Sequence, residues 1–444
     1  MTIFKAYDIR GLYGTQLDAA LAEKIGRAFF AVVRPKRVVL AHDMRPCAPE
    51  ISDAVARGLR ACGAEVTDLG LASTPMHSFA VGSGGFDGGM MVTASHNPAE
   101  YIGLKLSRKG AVPLSREEGI GAMEERILRG DLPADAATPG GLVKGDFTKA
   151  YVEMVAGKAR MRRRLKVVAD AGNGMGGYEW PLVAARLDLD VVPLFYELDG
   201  TFPNHEANPL NVATLEVLRA AVVEHKADFG VAFDGDADRA GFVDEKGGVV
   251  TNDLATALMA ADVLSREKGP VVYDLRSSRA LPEEIVRHGG TPVRGRVGHS
   301  FMKKAMRERN CVFGGEYSGH YYWRENFHAE SASLAVVAIC NILAAARQPM
   351  SALLKPLRRY LQTGEVNFKV DDKDAKMRAI AEAFADADVD WLDGVTATYP
   401  AWWCNVRPSN TEPLLRLNLE ANDAATFETA KKKVFAILGK PVAH

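Results

Sequence analysis

Phe229-Gly-Val-Ala-Phe-Asp234-Gly-Asp236-Ala-Asp238-Arg239 joins two kinds of sequence with nothing between them. Its first five residues are apolar or small, the length and character of a strand buried on both faces. The next six place three carboxylates at i, i+2 and i+4 in a glycine-containing turn. Parallel sheets gather function in the loops at the carboxyl ends of their strands, and this segment has that form. The pattern recurs outward in both directions. Arg37–Asp43 and Gly89–Ser95 precede it, Lys166–Asp170 accompanies it, and Pro270–Asp274 and Cys311–Glu316 follow. Helix-period segments such as Pro49–Cys62, Val212–Glu224 and Pro282–His288 lie between these runs, the alternation expected of α/β units.

Two strand runs per unit give three similar mixed-sheet α/β domains, with divisions read at 1–140, 141–251 and 252–361. The Pro/Gly/Ala stretch 132–141 serves as the first linker. Residues 362–444 read differently: a strand, a helix over Lys373–Ala387, two strands around Arg407 and a final helix over Ala424–Leu438. That order predicts a smaller α+β domain. The basic run Arg160–Lys166 and the triplet at 431–433 read as solvated helix ends and faces.

Composition narrows the function. The chain has 444 residues, with 55 Lys+Arg against 56 Asp+Glu and a formal charge of −1. A 47% apolar and 25% charged chain is a folded globular one. Without a basic excess, nucleic acid is not an expected partner. Five scattered cysteines with no C-x-x-C pair argue against a disulfide framework and against structural zinc. The charged start Met1–Arg10 is no signal peptide, and Ser333–Ala346 is too short to span a bilayer, so a buried core helix and a cytoplasmic protein without membrane attachment are expected.

Four loops carry chemistry. Asp234, Asp236 and Asp238 can converge on one hard cation, and Mg²⁺ prefers oxygen ligands. Glu245 stands where an EF-hand needs its twelfth residue, but Arg239 stands where that loop needs glycine, and a strand leads in. Thr93-Ala94-Ser95-His96-Asn97-Pro98 exposes a candidate nucleophile, Ser95, outside any G-x-S-x-G elbow, and no P-loop occurs. Lys105, ten residues on, can return to it as a charge partner. Gly314-Gly-Glu316-Tyr-Ser318-Gly-His320 offers an acceptor and a donor to neighbouring hydroxyls, as a sugar presents them. Arg407-Pro-Ser409-Asn410-Thr411-Glu-Pro413 has the fork, hydroxyls and amide of an anion cradle.

Together with Phe4-Lys-Ala-Tyr-Asp-Ile-Arg-Gly11, these loops in this order resemble the α-D-phosphohexomutase family over essentially the whole chain, its phosphomannomutase/phosphoglucomutase branch most closely. The resemblance implies four domains around a central cleft, one loop from each. Ser95 would carry phosphate and, with Asp234, Asp236 and Asp238, ligate Mg²⁺. Glu316 and Ser318 would hold the sugar, and Arg407, Ser409, Asn410 and Thr411 the phosphate that is not reacting. Arg10, Lys105, Arg239, His299 and His320 would line the cleft, with Lys105 and His320 the candidates for proton transfer. Arg276 stands where relatives often carry lysine.

The implied reaction interconverts hexose 1- and 6-phosphates, of mannose and/or glucose, through a bisphosphorylated sugar, with hexose 1,6-bisphosphate as activator. The alternatives are a phosphoglucosamine mutase, a Mg²⁺-dependent sugar phosphatase, and a silent sugar-phosphate sensor. A monomer or a homodimer is expected.

Overall fold

The computed structural model describes residues 2–409 and 414–442. Four sheets organise them, and the first three share one plan. In the first unit, Arg37–His42 runs parallel to Glu65–Leu71 on one side and to Gly88–Val92 on the other. Tyr101–Arg108 then pairs antiparallel with Gly88–Val92. In the second unit, Leu165–Asp170 is parallel to Leu189–Leu194 and to Phe229–Phe233, and Ala240–Asp244 returns antiparallel. In the third, Pro270–Asp274 is parallel to Thr291–Gly295 and to Phe313–Gly315, with Tyr321–Trp323 antiparallel. These are three similar mixed α/β domains, as the sequence predicts. The first sheet takes a further strand from Leu142–Lys144, past the division read at 140.

A side-chain device repeats with the topology. Each central parallel strand ends in an aspartate that accepts the backbone N–H two residues on: Asp43 from Arg45 at 3.0 Å, Asp170 from Gly172 at 2.8 Å, Asp274 from Arg276 at 2.8 Å. The carboxylate turns the chain sharply out of the sheet by standing in for a backbone acceptor. Three of the six strand runs close on this turn. The other three enter the chemistry-bearing loops 93–100, 234–239 and 316–320, each joining the last parallel strand to its antiparallel return.

The second of these turns makes a pH-dependent contribution to stability. His205 Nε2 lies 3.0 Å from Asp170 Oδ2, and that hydrogen bond, against partial burial, raises the imidazole above 6.5. A folded-state value raised above the unfolded one means that the stabilisation is complete below about 6.5 and is lost as pH rises through the folded value. His205→Gln should therefore cost about 1–2 kcal/mol near pH 5.5 and much less near pH 9 in urea unfolding. An equal cost at both pH values would mean that the pair holds no extra proton.

The fourth unit is antiparallel. Its strands run Asp388–Asp390, Val395–Thr398, Trp402–Pro408, Leu415–Ala421, Val366–Phe368, Pro441–Val442 in spatial order. Alternate residues Cys404, Val406, Leu415, Leu417 and Leu419 face the helices Lys373–Ala383 and Ala424–Leu438 and form its core. The first of these helices stops four residues before the predicted end. Phe384 leaves it to pack edge-on against Tyr399 and Trp402, so burying that ring ends the helix.

The helix Ala332–Ala346 is buried along most of its length and packs into a core shared by all three α/β units. Among the described residues no single helix is long and apolar enough to cross a membrane; one bent pair, this helix with Met350–Leu357, passes by length and composition only. The basic run is neutralised, Arg160 by Asp262, Arg163 by Asp228 and Lys166 by Asp190. All five cysteines are free.

Candidate active site

The loops at the strand ends converge. Ser95 sits in the left-handed region at φ 51°, and Arg45, itself 1% exposed, holds that turn from beneath. Its guanidinium donates to the carbonyls of Ser95 (2.9 Å), Asn97 (2.5 Å), Pro98 (2.7 Å) and Tyr101 (3.0 Å). Four carbonyls from one loop, gathered on one planar fork, hold the backbone that Ser95 needs. Gly235 of the acidic loop passes directly over it. A Cβ there would lie 2.3 Å from the Ser95 carbonyl oxygen, so only glycine permits the two loops to meet.

That approach brings Ser95 Oγ to 2.8 Å from Asp234 Oδ2 and 3.3 Å from His96 Nδ1. Burial, then the charges of Arg239 and Arg10, hold His96 neutral. Asp234 turns its other oxygen inward to accept the N–H groups of Asp238 and Arg239, both at 3.1 Å. Lys105 comes from the antiparallel strand of the first unit, opposite Met91. Its Nζ lies 2.6 Å from Asp236 Oδ2 and 2.5 Å from Asp238 Oδ2. The three aspartates are fully buried, with ligand atoms within 4.8 Å of one another. Burial, then Asp238 and Asp236, push Asp234 well above the usual carboxylate range. Against burial, Lys105 and then His320 hold Asp238 well below it.

The third unit closes the far side. Arg239 and His320 form an isolated antiparallel bridge between units. Arg239 Nε donates to His320 Nε2 at 3.1 Å, and Asp238 Oδ1 lies 3.3 Å from the same nitrogen. One partner favours a bare nitrogen, the other a protonated one. Against burial, Asp238 prevails and carries His320 up to about 9. Nδ1 lies 3.0 Å from Glu316 Oε2 and 2.9 Å from Ser318 Oγ. Glu316 also accepts from Tyr322 and, on its other oxygen, from the Gly298 N–H at 2.9 Å. His299, next in the chain, stacks edge-on with Tyr7 at 5.4 Å between centroids and lies 6.3 Å from the His320 ring. Arg10 reaches the Ser95 loop through Asn97 at 2.5 Å.

The third and fourth units together form an arginine cluster. Arg407, 1% exposed, and Arg276, 6% exposed, both face Glu365, as does Arg416 at 3.0 Å. Arg276 also grips Asp274 at 2.7 Å. Ser409 is buried beside this cluster's strand, its N–H donated to the Leu414 carbonyl. Asn410 and Thr411 lie outside the described residues. Tyr7 lies between the cluster and the Glu316 loop: burial and then Glu316 raise its hydroxyl to about 12, with Arg407 pulling the other way.

Several participants escape a reading by motif. Arg45 and Thr74 act on loops far away in sequence. Glu330, buried and ion-paired to Lys303 at 2.5 Å, offers a carboxylate within 4.8 Å of the Asp238 and His320 ligand atoms. Of these, only Arg45 had a signal, its place just beyond a strand run ending in aspartate.

Comparison with known proteins covers the same ground. Residues 1–132, 149–248 and 251–360 match the phosphoglucomutase/phosphomannomutase alpha/beta/alpha domains I, II and III in turn, and residues 365–437 match the C-terminal domain of the same proteins. A protein of Xanthomonas campestris pv. campestris described as phosphohexose mutases is 38% identical over 442 residues, 98% of each chain. The phosphomannomutase of Methanocaldococcus jannaschii is 35% identical over 443 residues, 99% of this chain and 98% of its own. The crystal structure of a phosphoglucomutase/phosphomannomutase family protein from Burkholderia thailandensis superposes with a TM-score of 0.91 at 35% identity, covering 100% of this chain and 99% of that one.

Proposed function

The chain belongs to the phosphoglucomutase/phosphomannomutase family, a family of phosphotransferring isomerases, and from that premise we propose that it interconverts the 1- and 6-phosphates of mannose and/or glucose through a phosphorylated Ser95. The observation that carries this reading is the contact of Ser95 Oγ with Asp234 in a loop of three buried aspartates. Asp236 Oδ1 is buried without a hydrogen-bond partner among the described residues, which suits an oxygen ligand awaiting a hard cation, and Asp238 offers a ligand oxygen within 4.8 Å. With Asp234 and the oxygen on Ser95 they would hold Mg²⁺. When bound, that ion would withdraw charge from the phosphoryl oxygens.

The chain's own groups account for the rest. A free sugar hydroxyl attacks the phosphorus on Ser95; its new P–O bond forms as the bond to Ser95 Oγ breaks, giving a bisphosphorylated sugar. That sugar turns round, and its other phosphate returns a phosphoryl group to Ser95 Oγ. Lys105 and His320 are the groups placed to move the hydroxyl proton; His320, carried up to about 9 against burial by Asp238, takes it in its deprotonated form and later gives it back. Lys105 and Arg239 oppose the charge that spreads over the transferring oxygens, the main source of rate in such reactions. Glu316 Oε1 and Ser318 Oγ hold sugar hydroxyls, while Arg10 and His299 line the cleft. Arg276, Arg407, Ser409, Asn410 and Thr411 grip the phosphate at the distant end. This clamp meets each end of the sugar in turn, so it recognises phosphate and little else.

Turnover of mannose, glucose and glucosamine 1-phosphate with hexose 1,6-bisphosphate as activator tests the proposal. Formation of mannose or glucose 6-phosphate, with little inorganic phosphate, is expected. Preference for the glucosamine substrate would make it a phosphoglucosamine mutase. Stoichiometric phosphate release would make it a phosphatase, and binding without turnover a sensor.

A further inference from the structure

We infer that Glu179, remote from the reacting groups, is a positioning residue for the aspartate loop. It lies on the helix Gly176–Ala184 of the second unit and is fully buried. Hydroxyls from all three α/β units donate to its carboxylate: Ser73 of the first to Oε2, Tyr151 of the second to Oε1 at 2.9 Å, and Ser333 of the third to Oε1 at 2.5 Å. A buried carboxylate is costly unless each oxygen is satisfied, and here both are. Only an acceptor with two oxygens can take three donors arriving from three units.

The residue beside Ser73 carries this order into the site. Thr74 donates its N–H to the Asp236 carbonyl at 3.1 Å and its hydroxyl to Asp236 Oδ2 at 2.5 Å. From the other side, the Met175 N–H, just ahead of the Glu179 helix, donates to the Gly235 carbonyl at 2.9 Å. Glu179 thus closes a ring that runs Gly235, Asp236, Thr74, Ser73, Glu179 and back along its own helix to Met175. The ring clamps the middle of the aspartate loop between two units. Its branch through Tyr151 reaches Ser331 at 2.8 Å, and the Ser331 N–H bonds the carbonyl of Tyr321, next to His320. Loss of the carboxylate frees the Ser73 hydroxyl, loosens Thr74 and lets the Asp236 oxygens drift.

This inference rests on the reading of Asp234, Asp236 and Asp238 as a divalent-cation site, and its test separates the two. Mn²⁺ binding to the purified full-length protein is followed by electron paramagnetic resonance. Glu179→Gln, folded by circular dichroism, should bind Mn²⁺ about tenfold more weakly, the loss typical of groups that orient ligands. Thr74→Val should weaken binding similarly, and the double variant no further than either alone, because both cut one ring. Should Glu179→Gln fail to fold, Ser73→Ala cuts the same ring and should weaken Mn²⁺ about threefold. Wild-type affinity in folded Glu179→Gln, or additive losses in the double variant, would overturn the role of Glu179. Absence of Mn²⁺ binding by the wild type would overturn the cation site itself, and the inference with it.

Discussion

Replacing Ser95 with alanine is expected to lower kcat for hexose phosphates by more than about 10⁴-fold, on the scale of losing a nucleophile. The loss should be chemical. Alanine keeps the Cβ, so the left-handed conformation at φ 51° becomes no more strained than it is with serine. Two contacts of Ser95 Oγ disappear, the hydrogen bond to Asp234 at 2.8 Å, worth about 1 kcal/mol, and the longer one with His96 at 3.3 Å. The turn itself stays, because Arg45 holds it through backbone carbonyls that the substitution leaves alone. Intact mass gives a second readout. After incubation with hexose 1,6-bisphosphate and desalting, the wild type should gain one phosphoryl group and Ser95→Ala none. Turnover within tenfold of wild type would remove Ser95 from the reaction, and a mass gain in the variant would put the phosphoryl group elsewhere.

The loops that the structure brings together were legible because of where they sit. Apolar strands need five or six residues of uninterrupted burial, so an abrupt change to Asp, Ser, His or Glu marks a strand end on a functional edge. The loops at Ser95, Asp234 and Glu316 all announce themselves in this way. The same change at Asp43, Asp170 and Asp274 has another cause, an aspartate that turns the chain by accepting an N–H. Sequence alone cannot separate a carboxylate that binds a ligand from one that binds its own backbone.

What lay beyond reach was contact between loops distant in sequence, within a unit or across units. Arg45 supports a serine 50 residues away, and Thr74 an aspartate 162 residues away. Arg45 is marked only by its place after an aspartate-terminated strand and Thr74 by nothing, since their partners are set by how strands and sheets come together. Glu365 was invisible for a related reason. A single carboxylate among three arginines carries no local pattern, yet it is the counter-ion that Arg276, Arg407 and Arg416 share. One fourth-unit helix end was misjudged, where a single ring, Phe384, gained more by packing than by continuing the helix.

Replacing Lys105 with methionine should uncouple stability from activity. Methionine keeps the apolar stem and removes only the ammonium, which lies 2.6 Å and 2.5 Å from two fully buried carboxylates. Like charges about 5 Å apart repel by roughly 3 kcal/mol at an effective dielectric of 20, and Lys105 stands between two such carboxylates, Asp236 and Asp238. Although burial opposes its charge, Lys105 is raised well above its ordinary value by Asp236 and Asp238, so it stays an ammonium throughout the accessible pH range. Without it, about 3–5 kcal/mol of stability should vanish in EDTA, the cost of stripping one partner from a buried ion pair. Millimolar Mg²⁺ should return most of that loss, because a divalent cation supplies more charge at the same oxygens and binds only the folded chain. The wild type should gain less from Mg²⁺, since there the ion contends with a resident ammonium. Activity should nevertheless stay at least about 10²-fold down at saturating Mg²⁺, because the cation opposing the transferring oxygens is gone. Urea unfolding of both proteins, with EDTA and with Mg²⁺, decides the matter: equal stability in EDTA would show that the aspartates do not depend on Lys105 for their charge balance.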